Sequence, residues 1–81
     1  MTPKLTKKAI RDLARLAKVD SATILDGIER FCATGVGDVV KLHDVTPATW
    51  RLRIGKWRVL YRPEAELMLI VAVVDRRDAY R

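Results

Sequence analysis

Arg51, Arg53 and Arg58 are the residues of this chain best suited to chemistry. A guanidinium stays charged at any physiological pH and grips a phosphate with paired N–H donors. The three lie in the stretch Trp50-Arg51-Leu52-Arg53-Ile54-Gly55-Lys56-Trp57-Arg58-Val59-Leu60-Tyr61, where apolar and charged residues alternate. A period of two predicts strands, and Gly55-Lys56 fits a two-residue loop with glycine first, which favours a type II′ turn. That turn sets a register in which Ile54 faces Trp57, Arg53 faces Arg58, Leu52 faces Val59, Arg51 faces Leu60 and Trp50 faces Tyr61. Trp50, Leu52, Ile54, Trp57, Val59 and Tyr61 then share one face, and Arg51, Arg53 and Arg58 share the other with Leu60. Like charges directly opposed destabilise a strand pair. Setting Arg53 against Arg58 makes sense where a polyanion docks on them. Trp50 and Trp57 fall on the apolar face and read as core residues rather than as platforms for stacked bases.

The whole chain carries the same bias. Its net charge is +6 and its pI about 10.0, which favours nucleic acid, an acidic protein segment or an anionic surface as partner. No Asp or Glu lies between Asp44 and Glu64, a window that holds Arg51, Arg53, Lys56, Arg58 and Arg62. With 81 residues, 49% of them hydrophobic and 32% charged, the chain is expected to form one globular domain over residues 1–81. So short a chain buries little surface, and a partner that covers apolar area is a common remedy. Cys32 is the lone cysteine, so no internal disulfide forms. His43 has no second His or Cys nearby, so neither a metal nor another cofactor is expected. No signal peptide is visible, and the apolar run Leu67 to Val74 falls far short of the ~20 residues a membrane helix needs. The expected compartment is the cytoplasm, with no membrane association.

These residues need elements to position them. Met1–Leu5 reads as a short edge strand or a frayed end. Thr6 is a plausible helix N-cap, and Ala9, Ile10, Leu13, Leu16 and Ala17 recur at helical spacing behind it. Lys7, Lys8, Arg11, Arg15 and Lys18 fall mostly outside that stripe and read as a solvated face. Val19-Asp20 reads as a connector, with Asp20 or Ser21 capping a second helix whose apolar side is Ile24, Leu25, Ile28, Phe31 and Cys32. Gly35 suits its C-cap. A connector this short makes the helices antiparallel neighbours. From Gly35 to Thr49 the chain reads as irregular, with Val39 to Leu42 either a helical turn or a short strand. After the hairpin, Pro63 to Glu66 reads as a four-residue turn. Leu67 to Val74, apolar on both faces, reads as a central strand covered on both sides. That loop length sets Arg58 opposite Val71 and Leu60 opposite Leu69, with Leu60, Leu69, Val71 and Val73 on the arginine side. The fold class is α+β: an N-terminal antiparallel helix pair packed on an antiparallel sheet of three to four strands.

A helix pair, a hairpin of the form W-R-L-R-I-G-x-W-R-V-x-Y, and an apolar strand ending in R-R-D-x-Y-R together resemble the RelE/ParE toxin superfamily of type II toxin–antitoxin systems. The likeness runs from about Thr6 to Arg81 and is strongest over Trp50–Tyr61 and Val73–Arg81. It implies a cognate antitoxin that wraps the toxin in a hetero-oligomer. For the RelE branch it implies a ribosome-dependent mRNA endoribonuclease: without a metal, the ribose 2′-hydroxyl attacks its own 3′-phosphate in the ribosomal A site. For the ParE branch it implies inhibition of DNA gyrase. By motif, the family's catalytic cations fall on Arg51 and Arg53, its phosphate-binding arginine on Arg58, its C-terminal arginine on Arg76 or Arg77, and its C-terminal tyrosine on Tyr80. Arg77, Arg81 and Lys56 are the further candidates for substrate contact. The chain departs from the pattern in carrying Arg51 and Arg53 where characterised nucleases of this type have lysines, and Asp75 where many relatives have histidine. Arginine is a poor base, so proton transfer falls to Tyr80, with Asp75 as a second candidate that reads better as a salt-bridge partner.

Overall fold

A computed structural model describes residues 1–77 of the chain. The elements in chain order are β1 (Thr2–Leu5), α1 (Lys7–Ala14), α2 (Lys18–Thr34), β2 (Asp38–Lys41), β3 (Trp50–Ile54), β4 (Trp57–Glu64) and β5 (Leu67–Asp75). The class is α+β, but the sheet has five strands in the order β1-β5-β4-β3-β2, and β1 runs parallel to β5. Two expectations are therefore corrected. The sheet exceeds three to four strands, and it is mixed rather than antiparallel. The extra strands are the short segments at its two edges, whose four residues each carry too little pattern to declare themselves.

The hairpin forms as its sequence dictates. Trp50 pairs Tyr61, Arg51 pairs Leu60, Leu52 pairs Val59, Arg53 pairs Arg58 and Ile54 pairs Trp57. Gly55 has φ +58° while Lys56 stays out of the positive-φ region, as the first and second positions of a type II′ turn require.

The β4–β5 connection differs from expectation. Glu64 pairs Leu67, so the turn is Ala65-Glu66 and not four residues. The register slips once more between Leu60 and Tyr61, which leaves Val71 as an extra residue on β5. Arg58 consequently faces Val74 instead of Val71, and Leu60 faces Ala72 instead of Leu69. A one-residue bulge swaps faces along the rest of a strand. Val73, expected on the arginine side, thus pairs Val59 and joins the core, at 6% exposure.

Both helices cover the Trp50/Trp57 face. Ala9 and Leu13 of α1 and Ile24, Ile28 and Phe31 of α2 meet Leu52, Val59, Tyr61, Met68, Ile70 and Val73 of the sheet. Phe31 and Tyr61 pack as tilted rings with centroids 5.8 Å apart. Gly27 lets α2 lie close to the hairpin: a Cβ there would be 2.7 Å from Ile54 Cδ1. Ile10 and Leu25, expected in the apolar stripes, are 52% and 40% exposed. Both helices lie on one face of β5, so among the described residues the expected cover on both faces is not seen, although Ala72 on the other face is 8% exposed.

Thr6 caps α1 as expected, its Oγ1 accepting the Ala9 N–H at 3.2 Å. The second cap differs. α2 begins at Lys18 behind Ala17, and no side chain caps it. Asp20 instead sits in the first helical turn, where a carboxylate favours the dipole. Ser21 donates its hydroxyl back to the Leu13 carbonyl at 2.8 Å, tying α2 to the end of α1. Rather than pairing chiefly with each other, the helices lean on the sheet, α1 on β5 and α2 across β1 and β3. Gly35 ends α2 at φ +72°, the left-handed C-cap its type predicts.

α1 also protects a strand edge. β1 pairs β5 as far as Ile70, and beyond it the Asp12 carboxylate accepts the Val73 N–H at 2.9 Å. A helix side chain thus completes the ladder where the edge strand stops.

Candidate phosphate-binding face

The four pairings across the sheet place side chains in rows on the face that the helices leave open. One row runs Val74, Arg58, Arg53, Asp38. The next runs Ala72, Leu60, Arg51, Val40. A third runs Lys4, Leu69, Arg62. The structure therefore brings Arg51, Arg53 and Arg58 together on one side of one hairpin.

Their environments differ. Arg58 is buried, at 6% exposure. One Nη donates to the carbonyls of Gly55 at 3.0 Å and Trp57 at 3.1 Å, while the buried Nε–H has no partner. Among the described residues no carboxylate reaches within 4.0 Å of its guanidinium. Arg51 is also largely covered, with 15% of its side chain exposed, and lies 3.9 Å from Asp38. Arg53 is about half exposed and lies 3.9 Å from the other oxygen of Asp38. A buried cation without a counter-ion is costly unless something else repays it.

The other candidates lie around this face rather than on it. Lys56 projects from the turn and sets its ammonium over the Trp57 ring, 4.9 Å from the centroid. Arg76 stands just beyond β5, opposite Lys56, whose carbonyl accepts its N–H at 2.8 Å. Arg77 lines a cleft of about 330 Å³ on the helix side with Asp12, Arg15, Leu16, Trp57 and Asp75. Asp75 pairs Trp57, on the helix side too, and its Oδ1 accepts the Arg77 N–H at 3.0 Å. That hydrogen bond, with the nearby Arg77 and Lys56 charges, holds its carboxyl below the ordinary aspartate value. Asp75 is thus a firmly ionised partner of Arg77, turned away from the arginine rows. Tyr80 and Arg81 lie outside the described residues. His43 is exposed in the β2–β3 loop beside Asp44, and Cys32 is half-buried with its Sγ 3.5 Å from Met68 Sδ and its thiol pushed up by burial.

Two residues of this face escape a reading of the hairpin alone. Arg62, which reads from sequence as a solvated side chain past the cluster, is half-buried and directs its Nε to Thr49 Oγ1 at 3.5 Å. The alternation Arg58-Leu60-Arg62 is the signal that could have placed it. Asp38 has no such signal, because its position depends on β2 docking beside β3.

A two-helix, five-strand α+β fold whose open sheet face is lined with arginines is the build of a small RelE-like toxin. The sequence matches the family model of the ParE toxin of type II toxin–antitoxin systems over residues 4–80. The chain belongs to that family. A chain in the archaeal RelE–RelB complex of Pyrococcus horikoshii superposes with a TM-score of 0.75 at 24% identity, over 96% of this chain and 97% of that one. The RelB–RelE antitoxin–toxin complex of Methanococcus jannaschii gives a TM-score of 0.73 at 18% identity, over 94% and 93%. The toxin–antitoxin complex RelBE2 of Mycobacterium tuberculosis gives 0.71 at 29% identity, over 93% and 96%. None of the curated proteins matches significantly.

Proposed function

We propose that this toxin is a ribosome-dependent mRNA endoribonuclease that acts in the cytoplasm and is neutralised by a cognate antitoxin. The observation that carries the reading is Arg58: a buried guanidinium with an unpartnered Nε, beside Arg51 and Arg53, on a face no helix covers. In the reaction the ribose 2′-hydroxyl attacks the adjacent phosphorus, and the P–O5′ bond breaks. The products are a 2′,3′-cyclic phosphate and a free 5′-hydroxyl. Arg58, Arg51 and Arg53 stabilise the charge that grows on the phosphoryl oxygens, a task for fixed cations that stay protonated. Tyr80 transfers the proton, with Arg76 close to the turn as a further cation and Arg77, Lys56 and Arg81 contacting the flanking strand. No metal is required.

The partner reading rests on the same face. Leu60, Ala72 and Val40 flank Arg51 in a largely apolar row between the Arg53/Arg58 and Lys4/Arg62 rows, which suits an acidic segment with apolar anchors. Relatives of the same fold occur as complexes with RelB antitoxins. A second reading, inhibition of DNA gyrase, is favoured by the matched family model, which bears the ParE name; the arginines in place of lysines favour a third, a catalytically weak module that binds RNA or antitoxin.

One experiment separates them. Purified toxin is added to ribosomes programmed with a defined message, and 5′ ends are mapped. The nuclease reading expects cuts in the A site, at least about 100-fold slower with Arg58→Ala, since one lost transition-state donor costs that much. No ribosome-dependent cuts, together with gyrase-trapped DNA breaks on induction in cells, would replace it with the gyrase reading.

A further inference from the structure

The row that carries Arg58 and Arg53 ends on the edge strand at Asp38. Its Oδ1 lies 3.9 Å from an Nη of Arg51, and its Oδ2 lies 3.9 Å from an Nη of Arg53. Both distances exceed hydrogen-bond length, so the carboxylate acts on the two cations through charge alone. Asp38 and Arg53 are each about half exposed, so water and solutes reach both, whereas Arg51 is largely covered. Glu64 also points to this face, by alternation along β4, but it pairs Leu67 at the far end of the strand. Six residues separate it from Arg58, roughly 20 Å along a strand.

We propose that Asp38 is a positioning residue and an internal counter-anion for the phosphate seat. It draws Arg51 and Arg53 toward the β2 edge and away from Arg58, which relieves the repulsion along the row. It also occupies, in charge, the place that a phosphodiester takes. A phosphate that meets two guanidiniums bidentately outcompetes a carboxylate held at ion-pair distance, so arriving RNA displaces Asp38 without displacing the strand. The consequence is two-sided. Asp38 weakens RNA binding, because its charge repels the phosphate. It raises turnover, because the two guanidiniums stay aligned when the phosphate arrives. The turnover part rests on the nuclease reading; the binding part does not.

The test uses the full chain and its Asp38→Asn, Asp38→Glu and Glu64→Gln variants. Binding is read by fluorescence anisotropy with a single-stranded RNA whose riboses are 2′-O-methylated and therefore cannot be cut. Removing one negative charge some 5–6 Å from a phosphate is worth about three- to tenfold in affinity at an effective dielectric of about 40–80, between protein surface and bulk water, which suits a half-exposed carboxylate. Asp38→Asn is expected to bind that much tighter, with a steeper salt dependence, because a face with one carboxylate fewer holds more counterions for RNA to release. Asp38→Glu and Glu64→Gln are expected to bind like the parent chain. In the programmed-ribosome assay Asp38→Asn is expected to lower KM and to lower kcat at least tenfold, while Asp38→Glu recovers most of kcat. An Asp38→Asn affinity equal to that of the parent overturns the proposal. So does Glu64→Gln tightening binding as much, which would make net charge sufficient. Should the parent cut no message, the nuclease reading fails, and the binding measurements alone still judge Asp38.

Discussion

A residue kept for substrate rather than for the fold should weaken the fold, and Arg58 is the place to measure it. Replacing it by methionine keeps a long, flexible side chain on the sheet and removes the charge. Several contributions change. Directly opposed side chains begin about 5 Å apart, and two unit charges at that range repel by roughly 3 kcal/mol at an effective dielectric of about 20. Asp38, 3.9 Å from Arg53, offsets part of that and leaves an order of 1–2 kcal/mol. The unpartnered Nε–H costs about 1 kcal/mol or more in lost solvation, which methionine does not incur. Against these stand the hydrogen bonds to the Gly55 and Trp57 carbonyls, 3.0 and 3.1 Å long, each worth on the order of 1 kcal/mol net.

The balance favours Arg58→Met by up to about 1 kcal/mol, which for a domain of this size raises the melting temperature by at most roughly 4–8 °C. Calorimetry or circular-dichroism melts of the purified chain read that shift. The 2′-O-methyl RNA used above reads the loss of binding in parallel. Higher stability with binding lost is the outcome expected of a site that costs the fold something. A melting temperature that falls by a similar amount would mean that the guanidinium holds the hairpin together, and the argument from its unpaired charge would be refuted.

The remaining predictions concern the scaffold. Ala65 opens the β4–β5 turn with φ +54°, a left-handed conformation that costs a Cβ-bearing residue about 1 kcal/mol. Ala65→Gly is expected to stabilise the chain by about that amount in urea denaturation, with the slope unchanged. Asp75 carries a carboxyl held below the free value of 3.8 by the Arg77 N–H and its neighbouring cations. A depressed folded pKa contributes stability that is complete above the unfolded value and lost as the pH falls through the folded one. Asp75→Asn should therefore flatten the decline of stability below about pH 4 and leave the region above pH 5 parallel to that of the parent.

What the sequence reveals follows the strength of local constraint. The hairpin was legible to the residue, because a glycine-first turn and strict alternation leave one register. Thr6 and Gly35 were legible for the same kind of reason, each being the residue type its cap requires. β5 was not, because Leu67 to Val74 is apolar at every position and so offers no alternation to set which side faces in. Its bulge comes from packing: Met68 and Ile70 on one side of Val71, and Val73 on the other, all reach the core only if one residue is left over.

The same division runs through the site. Arg51, Arg53 and Arg58 were found because they lie on one ribbon whose geometry is local. Asp38 was missed because nothing near it in sequence announces that β2 will dock on β3, and the Gly35 to Thr49 stretch reads as irregular. This has a consequence for how such a face is built. The cations sit on the strands with the firmest local register, where their spacing cannot drift. The carboxylate that balances two of them sits on a four-residue edge strand, paired on one side only. Edge pairing is weaker and opens first. A counter-charge mounted there can yield to a phosphate without disturbing the arginines, whereas one mounted on β4 would have to move the centre of the sheet to do so.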